Sequence, residues 1–405
     1  MDRRLSFAFH AAPPPGEWLN DPNGLVFADG AWRLFAQHSA AAPDFGKIGW
    51  GRLSSTDCLR WTWDGEVIAP DALGQAYSGS IVAQADSLTA YLTRHDDTLK
   101  RQLQVELTSR DAGASWHQGT PLGPEGRNVR DPFVFFCAAT GDCRMLIAEP
   151  CDWYRWADEA PSTLGVWRLD GKEWRFVSRI AAWFEPGVAC EVPVLVDFGS
   201  CQALIVSTVD RRNGGAECAV RYWLGQFDGA SFSIESAPEG RLLDHGPDFY
   251  AAIVNTIPSP GEERMLVAWA SSWETARVMP WPGGIKGGPI CLPRLLLLDT
   301  AAGRLVQQPI AGIDSAATHQ WDGETPMTIS IAGEDAEMKL TFRSRALAVQ
   351  RDSLGGQFDW ERSDESAFVD GAAQTIRIFA DAGLIEAFIE PAGLTVTAFV
   401  PGAQL

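Results

Sequence analysis

The 405-residue sequence predicts an all-β protein in which four-stranded blades are arranged around an axis. Short apolar runs, such as those at 24–27, 134–136 and 194–196, recur between clusters of Gly, Asp, Asn and Pro. Helical periodicity over a dozen residues is almost absent. These observations together indicate many short strands joined by tight turns.

A repeated turn motif supports the prediction of blades. Ser-x-Asp followed by Trp occurs twice, with Asp57 before Trp61 and Asp111 before Trp116. An Asp that caps a turn and a Trp that packs against the same turn stabilise local structure. We therefore interpret the two copies as recurring turns of successive blades and not as a binding site.

The pattern changes beyond a region rich in glycine and proline that ends near residue 310. Alternating strands, such as those at 376–379 and 394–399, are typical of a β-sandwich. The sequence therefore predicts a first domain over residues 1–310 and a small sandwich over residues 325–405.

The charge of the chain argues against two classes of partner. The sequence has 33 Lys and Arg against 52 Asp and Glu, a formal net charge of -19. Such a surface repels nucleic acid and anionic membranes, so we expect neither as a partner. A neutral or cationic small molecule is the expected ligand, and the oligomeric state is not indicated.

The eight cysteines form no CxxC pair and no Cys/His cluster with metal-ligand spacing. Most lie in apolar runs, so we expect buried free thiols and no metal or organic cofactor. The N-terminal segment lacks the apolar stretch of a secretion signal, and no apolar run reaches the roughly 18 residues of a membrane helix. These features predict a cytoplasmic protein.

Three acidic residues close to prolines are the candidate catalytic groups. Asp21 and Asp131 each directly precede a Pro, and Glu191 stands two residues before Pro193 in an apolar run. Proline restricts its neighbours, which would hold each carboxyl in place. We expect Arg130 to keep Asp131 ionised and the apolar flank of Glu191 to keep it protonated. An ionised Asp and a protonated Glu form the pair that glycoside hydrolysis uses.

These motifs, in this order, resemble those of glycoside hydrolase family 32, the invertase, inulinase and levanase family. The resemblance covers nearly the whole chain and is most specific at 18–24. The matching segments are WLNDPNG at 18–24, RDP at 130–132 and CEVP at 190–193, with shorter matches at 37, 50–51, 77–80, 248–251, 292–294, 378–381 and 386–388. The family's WECP motif reads CEVP here, so both residues that flank the glutamate differ.

The resemblance implies a five-bladed β-propeller over residues 1–310, followed by a shortened β-sandwich. It implies that Asp21 is the nucleophile, Glu191 the acid/base and Asp131 a stabiliser of the transition state through fructose hydroxyls. The residues that it implies for the fructose pocket are Asn20, Gln37, Trp50, Tyr77, Ser78 and Arg130, with a contribution from Asp248. The implied activity is that of a retaining β-fructofuranosidase, which acts on sucrose or short fructans through a covalent fructosyl-enzyme.

Four further expectations follow from the residues. Asp21 should keep a low pKa, because it must be ionised to attack. No Lys or Arg cluster adjoins the pocket motifs, which favours unphosphorylated sucrose over a sugar phosphate. Glu149 fits a strand-end turn better than a site, and the aromatic segment 152–156 fits a sugar-stacking wall and a shielding loop equally well.

Three other functions stay open on the sequence. A fructosyltransferase would use the same carboxylates and differ in the acceptor. A non-catalytic fructan-binding propeller would have no need of the acid/base. A sialidase-like propeller would require an Arg triad and a Tyr nucleophile, and neither is recognisable.

Overall fold

The computed structural model confirms the predicted all-β class. It describes residues 7–40, 45–84, 86–150, 161–181, 184–212, 216–255, 263–313, 319–323, 327–343, 346–356, 359–364, 374–390 and 392–403. Helical structure there includes two short 3₁₀ turns, Pro282–Gly284 and Leu354–Gly356. No helix in these ranges is long and apolar enough to cross a membrane.

The described residues between 18 and 309 form five antiparallel sheets of consecutive strands. Sheet 1 contains β1 (Trp18–Ala28), β2 (Ala31–Ser39), β3 (Gly49–Ser55) and β4 (Thr62–Ile68). Sheet 2 contains β5 (Gln75–Gln84), β6 (Ser87–Asp96), β7 (Arg101–Ser109) and β8 (His117–Gly126). Sheet 3 contains β9 (Arg130–Cys137), β10 (Asp142–Glu149), β11 (Thr163–Asp170) and β12 (Glu173–Ala181).

The next two sheets follow the same plan. Sheet 4 contains β13 (Val188–Asp197), β14 (Gln202–Asp210), β15 (Glu217–Phe227) and β16 (Phe232–Ile234), and β17 (Arg241–Leu242) also pairs with β15. Sheet 5 contains β18 (Tyr250–Val254), β19 (Met265–Trp269), β20 (Arg294–Asp299) and β21 (Arg304–Pro309). The first strands of the five sheets contact one another in a closed ring, in the order β1, β5, β9, β13, β18 and back to β1. We call these five the inner strands.

Every inner strand carries a β-bulge. The register shifts lie between Leu19 and Gly24 in β1, Ala76 and Gly79 in β5, Arg130 and Phe133 in β9, Glu191 and Val194 in β13, and Tyr250 and Ile253 in β18. Asp131, Val192 and Ala251, one in each of three bulges, have positive φ angles of 61°, 47° and 50°. An extra residue in one strand bends it and redirects its side chains. Since each inner strand is also the edge of its sheet, a bulge there accommodates the prolines that follow the acidic residues.

The structure confirms that the two repeated turns with Asp and Trp have a local structural role. Asp57 and Asp111 each accept backbone N–H groups from their own turns. Trp61 and Trp116 each donate their indole N–H to the carbonyl three residues earlier, at 3.2 and 3.1 Å. The two turns join the third and fourth strands of sheets 1 and 2, so they occupy equivalent positions.

The C-terminal region forms two further sheets that share a core. Its strands are β22 (His319–Gly323), β23 (Met327–Ala332), β24 (Ala336–Arg343), β25 (Ala346–Ser353), β26 (Trp360–Asp364), β27 (Gln374–Asp381), β28 (Leu384–Glu390) and β29 (Leu394–Phe399). The sheet orders are β22-β27-β28-β29 and β23-β24-β25-β26. Leu340 and Val349 of one sheet share a buried apolar cluster with Ile376 and Val396 of the other.

The expectation of free thiols is confirmed for the part of the chain that the structure describes. Buried free cysteines there are Cys58, Cys137, Cys190, Cys218 and Cys291, while Cys143 and Cys201 are partly exposed. These described regions therefore depend on packing and hydrogen bonds and not on disulfides.

A buried ionic network joins the C-terminal sheets to the rest of the fold. Arg294 of β20 donates to Asp244 at 2.9 Å and to Glu386 of β28 at 2.7 Å. The ring of His10 bonds to Glu386 at 2.9 Å and to Asp381 at 2.8 Å. Removing one partner would leave a buried charge uncompensated, so the network ties the N-terminal segment, sheet 5 and the last strands together.

We predict that the charge of His10 makes stability depend on pH. Burial alone would lower the pKa of His10, but hydrogen bonds and the charges of Asp381 and Glu386 raise it to about 9, from 6.5. The stabilisation is therefore complete below pH 6.5 and is lost as pH rises through 9, by on the order of 3 kcal/mol. Denaturant unfolding from pH 6 to 9.5 should show this loss in the wild type but not in His10→Gln. The exposed His117→Gln serves as the control and should lose stability as the wild type does.

Candidate active site

A cavity of about 430 Å³ lies near the beginnings of the inner strands. Asp21 of β1, Asp131 of β9 and Glu191 of β13 all line it. These residues are only 6, 5 and 8 % exposed, respectively. Three acidic groups that are far apart in the sequence, and that come from three different sheets, therefore share one buried space.

A directed chain of hydrogen bonds orients Asp21. The indole of Trp18 donates to Asn20 at 2.8 Å, and the Asn20 amide donates to Gln37 at 3.0 Å. The Gln37 amide donates to the Ser78 hydroxyl at 2.5 Å, and Ser78 donates to Asp21 Oδ2 at 2.9 Å. Each group donates to the next, so one oxygen of Asp21 is fixed. Its Oδ1 is buried without a hydrogen-bond donor among the described residues.

Asp131 is held by the bulge of the neighbouring sheet. Its Oδ2 accepts the backbone N–H of Val192 at 3.0 Å, and Val192 is a positive-φ residue. Its own backbone N–H donates to Thr93 Oγ1 at 3.1 Å. The strained backbone of β13 thus positions a carboxylate on β9.

Glu191 is contacted by polar groups on both sides. Arg130 donates to Oε1 from Nε and Nη2, at 3.2 and 2.9 Å, and the Tyr250 hydroxyl donates to Oε2 at 2.6 Å. Arg130, Glu191 and Tyr250 each immediately precede the positive-φ residue of an inner strand. They therefore occupy equivalent positions in three successive sheets, and the ring brings their side chains together.

Burial and mutual repulsion raise the pKa values of two of the acids. Burial, followed by the charge of Glu191, raises the pKa of Asp21 to about 6, while the Ser78 hydrogen bond opposes the rise. Burial also raises the pKa of Asp131 to about 7, against the lowering effect of Arg130. The cavity therefore retains protons to a higher pH than exposed carboxyls would.

Two expectations about charge were wrong in their outcome. The pKa of Asp21 is not low, because burial, together with the charge of Glu191, outweighs the hydrogen bonds that lower it. Arg130 does lower the pKa of Asp131, yet burial dominates, and the hydrogen bonds of the guanidinium go to Glu191. The Glu191 carboxyl accepts hydrogen bonds from both Arg130 and Tyr250.

Three of the seven predicted pocket residues line this cavity, and two more contact one of those three. Gln37, Tyr77 and Arg130 line it, and Asn20 and Ser78 stand behind them in the hydrogen-bond chain. The Tyr77 ring stacks on His95, with centroids 4.6 Å apart.

Trp50 and Asp248 are not brought into the cavity. Trp50 is fully buried, and its indole N–H donates to the carbonyl of Tyr77 at 3.0 Å, so it supports the wall from behind. Asp248 is fully buried, and its carboxylate accepts bonds from Thr275 and Arg351. The residue of that segment that reaches the acids is Tyr250, and only its equivalence with Arg130 and Glu191 could have singled it out.

The sequence has no basic cluster beside the pocket motifs, yet basic residues from elsewhere in the chain line the cavity. Lys100, Arg127, Arg211 and Arg277 all line the cavity. They come from four separate connections along the chain, so the sequence gives no sign that they converge.

Other sequence candidates have structural contacts. Glu149 accepts bonds from Thr163 and Arg179, and it does not line the cavity. His38 contacts Glu17 at 2.6 Å. The segment 152–156 lies outside the described residues. No group of three or more His, Cys, Asp or Glu in the described ranges could hold a metal ion.

An all-β ring of sheets with several carboxyls in one cavity is an arrangement suited to glycoside hydrolysis. The family model described as the N-terminal domain of glycosyl hydrolases family 32 matches residues 10–309. The chain therefore belongs to glycosyl hydrolases family 32. The match ends where β21 ends.

Curated relatives agree with this assignment. A levanase from Bacillus subtilis (strain 168) is 28% identical over 355 residues, which cover 80% of this chain and 49% of the levanase. A sucrose-6-phosphate hydrolase from Escherichia coli is 29% identical over 340 residues, which cover 80% of this chain and 68% of that protein. The chain thus spans about half the length of the levanase and about two thirds of the hydrolase.

Solved structures share the fold. A fructofuranosidase from Schwanniomyces occidentalis, complexed with fructose, has a TM-score of 0.79 at 18% identity, covering 98% of this chain and 92% of that one. A sucrose-6-phosphate hydrolase from Lactobacillus gasseri has a TM-score of 0.79 at 20% identity, covering 98% and 89%. At these identities the likeness establishes the fold alone.

We predict that the Ser78 hydroxyl lowers the pKa of Asp21. In Ser78→Ala the carboxylate loses its donor, so the pKa of Asp21 should rise above 6, by about one unit. A ¹³C NMR titration of labelled aspartate carboxyls measures the shift. Ser80→Ala is the matched control, because its hydroxyl, on the same strand, donates to the carbonyl of Pro132. An unchanged pKa in Ser78→Ala, or an equal rise in both variants, would contradict the prediction.

Proposed function

We propose that this protein is a retaining β-fructofuranosidase that releases terminal β-D-fructofuranosyl units from sucrose or short fructans. The observation that carries the proposal is the convergence of Asp21, Asp131 and Glu191 on one buried cavity. Membership of family 32 supports it, as do relatives named for the hydrolysis of sucrose phosphate and for levanase activity. A binding module would have no use for three acids whose burial is costly.

In the first proposed step, Asp21 is the nucleophile and Glu191 the general acid. The buried Oδ1 of Asp21 attacks the anomeric carbon of the fructosyl unit, and an ester bond forms as the glycosidic C–O bond breaks. Glu191 gives its proton to the departing oxygen. Above pH 6 Asp21 is mostly ionised, so it has the electron pair that the attack requires.

In the second proposed step, water enters and Glu191 acts as the base. Its carboxylate takes a proton from the water, whose oxygen attacks the anomeric carbon while the ester bond to Asp21 breaks. Fructose leaves with its original configuration, and both carboxyls return to their starting forms. Arg130 and Tyr250 hold the Glu191 carboxyl in place through both steps.

Asp131 is the proposed stabiliser of the transition state. Its backbone-held carboxyl would accept bonds from fructose hydroxyls and would strengthen them as the ring gains positive charge. Gln37 and Tyr77 are proposed to contact the same ring, with Asn20 and Ser78 fixing the orientation of Gln37. A buried polar pocket discriminates against rings that leave its groups unpaired.

We also propose that the five sheets of residues 18–309 are the blades of a five-bladed propeller and that the last two sheets form a β-sandwich. The closed ring of inner strands and the shared C-terminal core support this division. The proposed domains are residues 1–310 and 325–405, with β22 extending the second toward residue 319. A cytoplasmic location stays a prediction of the sequence.

We predict that Glu191→Gln loses most of its kcat on sucrose, by about 10²–10⁴-fold, because no proton reaches the leaving group. Asp21→Asn should lose more, because no ester can form. Initial-rate assays of released glucose measure both. Glu149→Gln is the matched control, because this glutamate is paired with Arg179 outside the cavity, and it should keep wild-type kcat. Substantial activity in Glu191→Gln would overturn the assignment of the acid.

We predict that fructose is released from sucrose, inulin or levan and that the first anomer detected is the β form. Retention requires two displacements, and proton NMR of the first minutes distinguishes it from inversion. Maltose and aryl α-glucosides should not react, because they lack the fructofuranosyl unit. Initial α-fructofuranose, or comparable turnover of maltose, would refute the proposal, and longer oligomers would indicate a transferase.

A further inference from the structure

The carboxylate of Asp248, which lies outside the cavity, joins three parts of the chain. It is fully buried in the connection between β17 and β18. Its Oδ2 accepts hydrogen bonds from the guanidinium of Arg351 in β25 and from the backbone N–H of Phe399 in β29, the latter at 2.8 Å. Its Oδ1 accepts a hydrogen bond from the hydroxyl of Thr275, in the connection between β19 and β20, at 3.0 Å. Asp248 is therefore a point at which the C-terminal sheets contact two connections that adjoin sheet 5.

One of these connections leads directly to the acid Glu191. Tyr250, two residues after Asp248, begins β18 and donates its hydroxyl to Glu191 Oε2 at 2.6 Å. The backbone N–H of Asp248 donates to the carbonyl of Thr397 in β29 at 3.1 Å. Both the backbone and the side chain of Asp248 are thus fixed by the C-terminal sheets, and the short distance along the chain restricts where the Tyr250 hydroxyl can lie.

The other connection contributes to the wall of the cavity. Thr275 lies in a tight turn, in which the backbone N–H groups of Thr275 and Ala276 donate to the carbonyl of Ser272 at 3.1 and 2.8 Å. Trp273 and Arg277 belong to the same turn, and both line the cavity. The hydrogen bond from Thr275 to the buried carboxylate therefore holds this part of the wall.

Arg351 and Asp248 form an ion pair in which both side chains are 0% exposed. A buried charge that loses its partner is strongly destabilising, so neither side chain can leave the pair without a large cost. The same Nη1 of Arg351 also donates to the carbonyl of Phe399 at 3.3 Å, and a planar guanidinium fixes the direction of such bonds. The pair therefore holds the Asp248 carboxylate in one orientation, with Oδ1 toward Thr275.

We propose that Arg351 is a positioning residue for the active site, which acts through Asp248 on Tyr250 and on the turn that contains Trp273. The inference rests on the proposed function and adds the C-terminal sheets to the machinery that serves it. The described residues that line the cavity lie between 21 and 277, so these sheets contribute through contacts behind the wall. Arg351 orients the hydrogen bond to the acid and the aromatic part of the wall, and it contacts no reacting atom.

Removing one hydroxyl tests the arm that reaches the wall. In Thr275→Val the turn loses its bond to Asp248, so the wall must be ordered when sugar binds, and KM for sucrose should rise about tenfold while kcat stays the same. Thr275→Ser keeps a hydroxyl and should restore most of the affinity. Partial unfolding of the sample would instead lower kcat and leave KM unchanged. That pattern, or unchanged kinetics, would overturn the proposal.

Thr397→Val is the matched control. Thr397 is fully buried in β29, and its hydroxyl donates to Asp244 Oδ2 at 2.9 Å, so the substitution also removes a hydroxyl bond to a buried carboxylate of the same connection. The backbone of Thr397, which contacts Asp248, is unchanged. The variant should lose stability without a rise in KM. An equal rise in KM in Thr275→Val and Thr397→Val would contradict the proposal, because the effect would then be general.

Substitution of the arginine tests the arm that reaches the acid. Arg351→Lys keeps the buried charge and loses the planar fork, so Asp248 and with it Tyr250 should be held less precisely. We expect kcat on sucrose to fall about tenfold, because the hydrogen bond to the acid is no longer aligned. Arg377→Lys, in β27 of the C-terminal sheets, is the control, since Arg377 pairs with Glu390, and it should leave kcat unchanged. Wild-type kcat in Arg351→Lys would overturn the proposal.

Hydrogen exchange separates this proposal from the proposed catalysis, because it needs no substrate. In Arg351→Lys, peptides that cover 249–254 and 272–279 should exchange faster than in the wild type, although the substitution lies in β25. Faster exchange in both segments, absent from Arg377→Lys, would support the positioning role even if no fructoside were cleaved. Faster exchange confined to the C-terminal sheets would refute it while leaving the proposed function intact.

Discussion

The β-bulge in each inner strand is the constraint on which the site depends. A regular strand alternates its side chains between two faces, so it could not aim neighbouring groups into one cavity. The bulge breaks this alternation at the same place in all five sheets. It also explains the Asp-Pro pairs, because a proline is tolerated where the strand edge donates no ladder hydrogen bond. Asp21 and Asp131 reach the cavity through these bulges.

Placing three acids in one buried space opposes stability, and the surrounding contacts limit that cost. Arg130 and Tyr250 both donate to Glu191, Ser78 donates to Asp21, and the backbone of Val192 donates to Asp131. Even so, the pKa values of Asp21 and Asp131 remain raised, which is the signature of charge that is only partly compensated. The polar contacts thus hold the three carboxyls in place, although the pKa values of Asp21 and Asp131 stay raised.

Charge is distributed differently at three places in this molecule. The interface with the C-terminal sheets pairs every buried carboxylate of the network with Arg294 or His10. The buried charged residues that line the cavity are three acids and one arginine, and the exposed charged residues that line it are mainly basic. The first arrangement stabilises the fold, and the second suits proton transfer. The net charge of -19 reveals none of these local balances.

The all-β class, the repeated Asp and Trp turns and the three acids could be predicted from the sequence, because they follow from local patterns and from motifs that contain proline. Packing in three dimensions determines that Tyr250 rather than Asp248 reaches the acids, that Trp50 lies behind the cavity wall, and that basic side chains from separate connections line the same cavity. These contacts cannot be read from local motifs, because the closed ring of strands brings together residues that are far apart in the chain. Burial of the acids depends on these distant residues together. It is the main cause of the raised pKa values, which local motifs could not predict.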